Sequence, residues 1–460
     1  MVRLFNHWLR WRSLAQMLFD FSFVTIGLLV AVLWIGNTFP ADRQQILVFS
    51  ALLGVAMLVV NSLLGFYQRY IKRSILQSSA LAVVSIYLAI PLAYGIYAIM
   101  PMTGVDKDFM QLSALSAVFG MLVARVGSNH TAVSGILTRR ILVFGTGAAA
   151  LQVQQALEKS DPSAMILGFF PCPNEEQVSV PRNMVIASQQ SLADTARTLR
   201  ADEIVVAISE RRGGAMPLRE LLDCKLQGIR VLDLASHFEQ TLGQIRLDSL
   251  YAGWLIFGDG FRQGRVRTAL KRLFDLFFAS LLIVLALPIM AVTAAFIAAE
   301  NGFPLLYRQE RVGLNGRLFK VIKFRSMRRD AEKDGKPVWA AAQDDRVTRV
   351  GRIIRKLRID ELPQLFSVLK GDMSLVGPRP ERPYFVDQLT KEIPFYAVRH
   401  SVKPGVSGWA QVRYHYGATV EDSANKLQYD LYYIKNNSLF LDMVVLFETV
   451  GVVLTGKGAH

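Results

Sequence analysis

The chain is poor in cysteine, histidine and charge. Its 460 residues include two cysteines, Cys172 and Cys224. These make neither a metal-ligand spacing nor a disulfide framework, which excludes a zinc module and a stapled secreted domain and fits a reducing compartment. The six histidines are scattered, with no His-x-x-x-His pair. Charged residues make up only 19%, hydrophobic residues reach 52%, and mean hydropathy is +0.29. That excludes an ordinary soluble enzyme and points to a membrane protein with soluble parts. Acids are the scarcer charge, 37 against 52 Lys and Arg, for a net +15 and a pI near 9.8. Such a balance suits nucleic acid, an anionic lipid surface or a phosphorylated substrate. No cleavable signal is expected, since Asn37-Thr38-Phe39-Pro40 follows the first apolar run instead of a small-residue cleavage site. Internal repeats and low-complexity tracts are missing as well.

Apolar runs of membrane length are what the chain does have. Four come first, at roughly Ser13–Gly36, Gln44–Phe66, Ser79–Met100 and Phe109–Val126. Each approaches the ~20 residues needed to cross a bilayer. Basic residues gather before the first (Arg3, Arg10, Arg12), after the second (Arg69, Lys72, Arg73) and after the fourth (Arg125, Arg139, Arg140). The positive-inside rule then puts both ends of a four-helix unit, residues 1–130, in the cytoplasm. Residues 139–258 read as water-soluble. "RRILVFGTGAAALQVQQAL" gives a buried strand, a Gly145-Thr146-Gly147 turn and a helix. Further strands are expected at Met165–Phe170, Met184–Ala187, Ile204–Ile208 and Ile229–Leu232, with helical patterns between several of them. That alternation predicts a Rossmann-like parallel sheet.

A polar linker, residues 259–270, leads to the last part, 271–460. Phe277–Ala299 is apolar and uncharged, long enough to span, with Pro288 at its middle. Arg265, Arg267, Lys271 and Arg272 precede it, and Arg308, Arg311, Arg317, Lys320 and Lys323 follow. A spanning helix would put one basic flank outside. A proline-kinked re-entrant helix, at about 274–299, keeps both inside. In "DDRVTRVGRIIRKLRIDELP", Arg346, Arg349, Arg352 and Arg355 recur every three residues beside Val347, Val350, Ile354 and Leu357. This fits a helix on the membrane surface or a solvated helix on a globular core. Leu439–Thr455 holds Asp442 and Glu448, which predicts a docked helix instead of a span.

Two places carry candidate chemistry. Gly145 and Gly147 open a candidate nucleotide turn, in which backbone NH groups at a helix start would face a diphosphate. The acid expected for a ribose hydroxyl is missing, because that place reads Phe169-Phe170-Pro171-Cys172. Tyr251 has no lysine four residues on, so the Tyr-x-x-x-Lys pair of many sugar-modifying oxidoreductases is missing too. The readings are a structural turn, a regulatory pocket or an NAD site.

The second place is the pair Asp360-Glu361 in "LRIDELPQLFSVLKGDMSLVGPRPERP". Pro363 suits a helix first turn and Lys370-Gly371 its end, which sets both acids at a helix start beside Arg355, Lys356 and Arg358. Both features favour ionised carboxylates. An ionised aspartate attacks phosphorus, and a neighbouring glutamate holds Mg2+ with substrate phosphates. Arg379, stiffened between Pro378 and Pro380, suits bidentate phosphate binding, and Lys320, Lys323 and Arg325 extend the phosphate cradle. The plainer reading makes Asp360 a helix cap and Glu361 an arginine's ion-pair partner.

From about Lys271 onward the chain resembles the monotopic phosphoglycosyl transferases among bacterial sugar transferases. The resemblance rests on "KRLFDLFFASLLIVLALP", "YRQERVGLNGRLFKVIKFRSM", "DELPQLFSVLKGDMSLVGPRP" and "VKPGVSGWAQVRY", in order over the last ~190 residues. The preceding parts resemble the large members, which act as undecaprenyl-phosphate glucose- or galactose-phosphate transferases of exopolysaccharide assembly. The resemblance implies an α/β membrane protein with a mainly helical catalytic domain at the cytoplasmic face of the bacterial inner membrane. It implies Asp360 as nucleophile on a UDP-sugar, Glu361 as Mg2+ ligand, Arg379 on phosphate, and Lys271 and Arg272 at the membrane boundary near the lipid phosphate. Polyprenyl phosphate would be acceptor and membrane lipids the surroundings, with a homo-oligomer left open. Small family members often carry Ser-Pro at the helix break; here Leu287-Pro288 stands there. Two alternatives remain at this stage: a membrane-anchored NAD-dependent nucleotide-sugar dehydratase and a non-catalytic lipid-binding scaffold. Nucleic acid fits the charge but not the hairpin.

Overall fold

The computed structural model describes residues 2–4, 7–9, 11–35, 43–64, 66–67, 75–99, 115, 138–160, 164–173, 175, 177–187, 190–208, 216–250, 260–261, 264–328, 346–414, 417 and 419–455. They form two compact units: Leu9–Leu242 with Met1–Val2, and Gly243–His460 with Arg3–Trp8.

The first unit opens with apolar helices α1 (Trp11–Ile35), α2 (Arg43–Leu63) and α3 (Ile75–Ile99). The first three expected segments are therefore helical; the fourth, Phe109–Val126, lies outside the described residues apart from position 115. Val24 and Leu28 of α1, Phe49, Leu53 and Met57 of α2, and Ala89 and Ala93 of α3 share one core. Polar groups stitch the same helices together. Asp20 accepts from Asn61 (3.2 Å) and from the Tyr67 hydroxyl, and Ser85 donates to Asn61 Oδ1 at 2.7 Å. Such buried bonds help fix which helix faces meet.

The same unit holds a four-stranded parallel sheet of β1 (Arg139–Phe144), β2 (Ala164–Phe170), β3 (Glu203–Val206) and β4 (Arg230–Asp233), in the order β2-β1-β3-β4. The run Ile141–Phe144 is wholly buried, because helices α4 (Ala148–Ser160), α5 (Leu192–Thr198), α6 (Leu218–Leu226) and α7 (Leu234–Leu242) supply apolar partners on both faces. The Rossmann-like reading of this region holds at this level. One expected strand does not form. Met184–Ala187 follows a short 3-10 turn at Arg182–Met184 and makes a single bridge, Val185 to Phe169. Met184 N and Val185 N are bonded within the turn, to Pro181 O and Arg182 O, and Ile186 N alone reaches Phe169 O.

The second unit begins before the expected boundary at Gly258: Ile245 N donates to Gln428 O and Trp409 Nε1 to Gly243 O. Its longest element is α8, Arg265–Asn301, 37 residues with Pro288 inside. At ~1.5 Å per residue a straight helix of this length would run about 55 Å, against a hydrocarbon layer of about 30 Å. One stripe of α8 is buried (Asp275, Ala279, Ile283, Ala286, Thr293, Ile297), while Phe277, Leu285, Val292 and Phe296 are exposed. Both ends are tied to this one unit. Near its start, Arg272 donates to Val368 O and Leu369 O, and Asp275 accepts from Ser374 Oγ and Leu375 N. Near its end, Glu300 accepts from Arg349 N and Val350 N.

A hairpin of β5 (Leu306–Val312) and β6 (Leu318–Phe324) follows, then α9 (Arg349–Lys356) and α10 (Gln364–Lys370). Beyond them lie β7 (Ser374–Val376), α11 (Pro383–Glu392), β8 (Gly405–Ser407), α12 (Val420–Asn436) and α13 (Leu439–Thr455). The unit is thus mainly helical. On α9, Val350 and Ile354 pack toward Ile297 while Arg349, Arg352 and Ile353 stay exposed. Helix α13 is docked as expected, with Asp442 buried against Lys271 and Glu448 paired with Arg413.

Candidate active site

Arg358 ends α9 in the left-handed region (φ 59°), and a single 3-10 turn, Ile359–Glu361, carries the two acids. Pro363 then caps α10, and Gly371 (φ +97°) closes it. Asp360 and Glu361 therefore stand just before a helix start, as their spacing with Pro363 and Gly371 predicts. Asp360 does not act as the cap, because the cap position belongs to Pro363 and carries no side-chain bond. Both acids are 8% exposed.

Glu361 does have ion-pair partners, and two of them. Lys323 Nζ lies 2.8 Å and Arg379 Nη2 2.7 Å from Glu361 Oε1. Arg379 Nη1 reaches Oε2 at 3.4 Å. The side chains of Lys323 and Arg379 are 23% and 30% exposed, which leaves them within reach of a ligand. Arg379 sits in Pro378-Arg379-Pro380, just beyond β7. The segment is held from outside: Gly405 N donates to Pro378 O (2.9 Å) and Val312 N to Glu381 O (3.0 Å).

This geometry splits the two acids electrostatically. Burial opposes the charge on Glu361, but Arg379 and Lys323 outweigh it and hold its carboxyl well below the usual range. Burial, reinforced by the charge of Glu361, pushes Asp360 up to about 6. The sequence expectation that both acids gain from the helix start and the arginines is thus corrected for Asp360: desolvation wins there. One acid is held in its charged form and clamped. The other is a poorly solvated carboxylate beside it, a stronger nucleophile than a solvated one.

The remaining predicted residues are spread out. Lys320 and Lys323 are an odd number of positions apart on β6, so they point to opposite faces; Lys320 is exposed. Arg325 is buried and donates to Asn301 O and Gly302 O at the end of α8, not to the dyad. Lys271 pairs with Asp442 at 2.8 Å. Arg272 donates at 2.6 Å to both Val368 O and Leu369 O, in the last turn of α10, where a cation complements the helix end. Pro288 borders an apolar cavity of about 570 Å³ that also touches Val292, Phe296, Ile353, Ile354 and Ile359. Ile359 directly precedes Asp360.

At the glycine turn, Gly145 takes φ +119°, where a Cβ would meet Ala207 O at 2.7 Å. The donors of the turn are taken by the chain's own Glu175. Its Oε2 accepts from Thr146 N (2.5 Å), Thr146 Oγ1 (3.1 Å) and Gly147 N (3.2 Å). Sequence reasoning looked for a ribose acid at the end of β2 and so passed over an acid in the following loop.

A buried acid pair gripped by a lysine and an arginine thus lies in the same unit as an apolar cavity and a long apolar helix. The family model for the bacterial sugar transferases matches residues 266–456. Over 242 residues the chain is 46% identical to the UDP-N-acetylgalactosamine-undecaprenyl-phosphate N-acetylgalactosaminephosphotransferase of Aeromonas hydrophila, covering 53% of this chain and 56% of that relative. It is 44% identical over 193 residues to the UDP-glucose:undecaprenyl-phosphate glucose-1-phosphate transferase of Caulobacter vibrioides, covering 41% of this chain and 72% of that one. A protein of that same description from Escherichia coli strain K12 is 28% identical over 462 residues, 97% of each chain. The chain belongs to the bacterial sugar transferase family.

Proposed function

We propose that the protein is a membrane-bound enzyme that transfers a sugar 1-phosphate from a UDP-sugar to polyprenyl (undecaprenyl) phosphate and releases UMP, as a first membrane step of exopolysaccharide synthesis. The observation that carries this reading is the split dyad: Asp360 raised and buried beside Glu361, which Lys323 and Arg379 clamp. In the first step the Asp360 carboxylate attacks the sugar-bearing β-phosphorus. The bond from that phosphorus to the bridging oxygen breaks, and UMP leaves with its electron pair. In the second step a phosphate oxygen of the lipid attacks the same phosphorus and frees Asp360. Lys323 and Arg379 can turn from Glu361 to the substrate phosphates and spread the charge that builds up there.

Mg2+ fits the donor set. It binds through one or two carboxylates together with substrate phosphates, and Glu361 Oε2 carries only the long 3.4 Å contact. When bound, it would neutralise phosphate charge at Glu361.

We read α8 as re-entrant. Its two ends bond to the same unit, whereas a span would part them by a bilayer. Basic flanks on both sides favour the cytoplasmic face. The apolar cavity lined by Ile359, the residue before Asp360, suits an isoprenoid chain. Glu175 in the glycine turn counts against NAD there, and so against the dehydratase alternative. The names of the relatives favour glucose or N-acetylgalactosamine as the sugar, and galactose stays in the panel. UMP release by the purified protein with Mg2+, polyprenyl phosphate and these UDP-sugars tests the proposal. Release with one sugar supports it; none with any sugar returns weight to a scaffold.

A further inference from the structure

Pro378-Arg379-Pro380 poses a mechanical problem. Its prolines have no NH, so the segment can anchor two of its three peptide units only through their carbonyls. Each carbonyl from Pro378 to Glu381 has a donor, and the donors come from three places in the chain: Gly405, Arg399, and the neighbours Arg311 and Val312 on β5. Gly405 N holds Pro378 O (2.9 Å), and Val312 N holds Glu381 O (3.0 Å). Between them, Arg311 Nη1 donates to Pro380 O at 3.1 Å, and Arg399 Nη2 to Arg379 O at 3.0 Å.

Arg399 stands out from this set. It is 8% exposed, and its Nη2 lies 2.9 Å from the buried carboxylate of Asp430 on α12. Its Nη1 donates to the Tyr396 hydroxyl, with the guanidinium over that ring at 5.0 Å to the centroid. A guanidinium fixed on three sides has little freedom left, so the carbonyl it holds is fixed too. That carbonyl belongs to Arg379, whose own guanidinium grips Glu361. A buried ion pair is poor evidence of added stability, since desolvation offsets its attraction. Here it does something else: it sets the height and direction from which Arg379 reaches into the site.

We infer that Arg399, braced by Asp430, is a positioning residue for Arg379 and acts on phosphate transfer only through it. The inference rests on the reading of Arg379 as a phosphate ligand. Arg399→Lys keeps the charge but loses the planar fork whose Nη1 holds the Tyr396 hydroxyl while Nη2 faces Asp430 and the Arg379 carbonyl. It is expected to lower kcat/KM for UMP release roughly 10- to 100-fold, the scale of a misplacement near 1 Å. Asp430→Asn, the milder variant, is expected to lower it less and to keep the fold should Arg399→Lys unfold.

Two measurements on the full chain decide the matter. In a double-mutant cycle, Arg399→Lys added to Arg379→Ala is expected to cost less than about 2-fold further. Additive losses would overturn the inference, because Arg399 would then act by another route. Hydrogen exchange at the amides of Gly405 and Val312, which hold Pro378 O and Glu381 O, is expected to quicken in Arg399→Lys and in Asp430→Asn, with the rest of the unit unchanged. Unchanged exchange there would also overturn it. Exchange needs no turnover, so it decides the role of Arg399 even if Arg379→Ala proves fully active and the phosphate-ligand reading falls.

Discussion

In two places in this chain a glutamate is held by converging donors. At the glycine turn, Glu175 accepts from Thr146 and Gly147, whose NH groups belong to the backbone and cannot move away. At the dyad, Glu361 is held by the flexible side chains of Lys323 and Arg379. The first arrangement is closed, since a competing phosphate would have to expel a carboxylate from fixed donors. The second can be exchanged, since the cations can move from carboxylate to phosphate and back. Only the second has another acid beside it, Asp360, buried and raised to about 6. Donor type and the neighbouring acid, more than the presence of an anion hole, separate a structural turn from a reactive site.

The largest expected effect sharpens the reactive half of that comparison. Asp360→Asn keeps the shape and removes the nucleophile, so UMP release should fall by roughly 10⁴-fold. Near-normal release by that variant would show that another group attacks. Metal removal comes next: EDTA should stop turnover, and Mg2+ should restore it. Full activity in EDTA would remove Glu361 from the metal role.

A smaller effect concerns stability in metal-free buffer. Asp360 sits near 6 in the folded chain, above its ordinary 3.8. The folded state therefore binds the proton more tightly, and Asp360 lowers stability as pH rises from about 4 to about 6. Relative to Asp360→Asn, the wild type should lose on the order of 2 kcal/mol across that window. Parallel stability curves for the two would show that Asp360 is not strained by burial.

The smallest effect tests the closed half. Glu175→Gln keeps one acceptor but loses the charge at the start of α4. It should cost the first unit about 1 kcal/mol and leave UMP release within about 2-fold of wild type. Calorimetry should detect no NAD binding to the wild type. Tight NAD binding with Glu175 intact would break the contrast between the two sites.

Much of this was legible in the sequence because it depends on local order. Pro363 and Lys370-Gly371 bracket a helix, so the acids before it had to stand at its start. The alternating apolar segments of 139–258 predicted the parallel sheet. What stayed hidden depends on residues distant in sequence. Nothing near Arg379 announces Arg399, Arg311 or Asp430, which reach it through tertiary packing. Lys320 looked equivalent to Lys323 in a basic run, and only the strand's alternation separates them. Burial around Asp360 reversed the sign that its arginine neighbours suggested. The partners of Lys271 and Arg272, Asp442 and the end of α10, are likewise far away in sequence.

The central claim is that Asp360 becomes covalently bonded to the sugar phosphate. The most direct measurement incubates the purified protein with Mg2+ and its UDP-sugar without any lipid acceptor, then digests it for mass spectrometry. The account predicts one UMP released per active site and a phosphosugar mass on the peptide containing Asp360. UMP that appears only after polyprenyl phosphate is added, with that peptide unmodified, would contradict it and point to direct transfer.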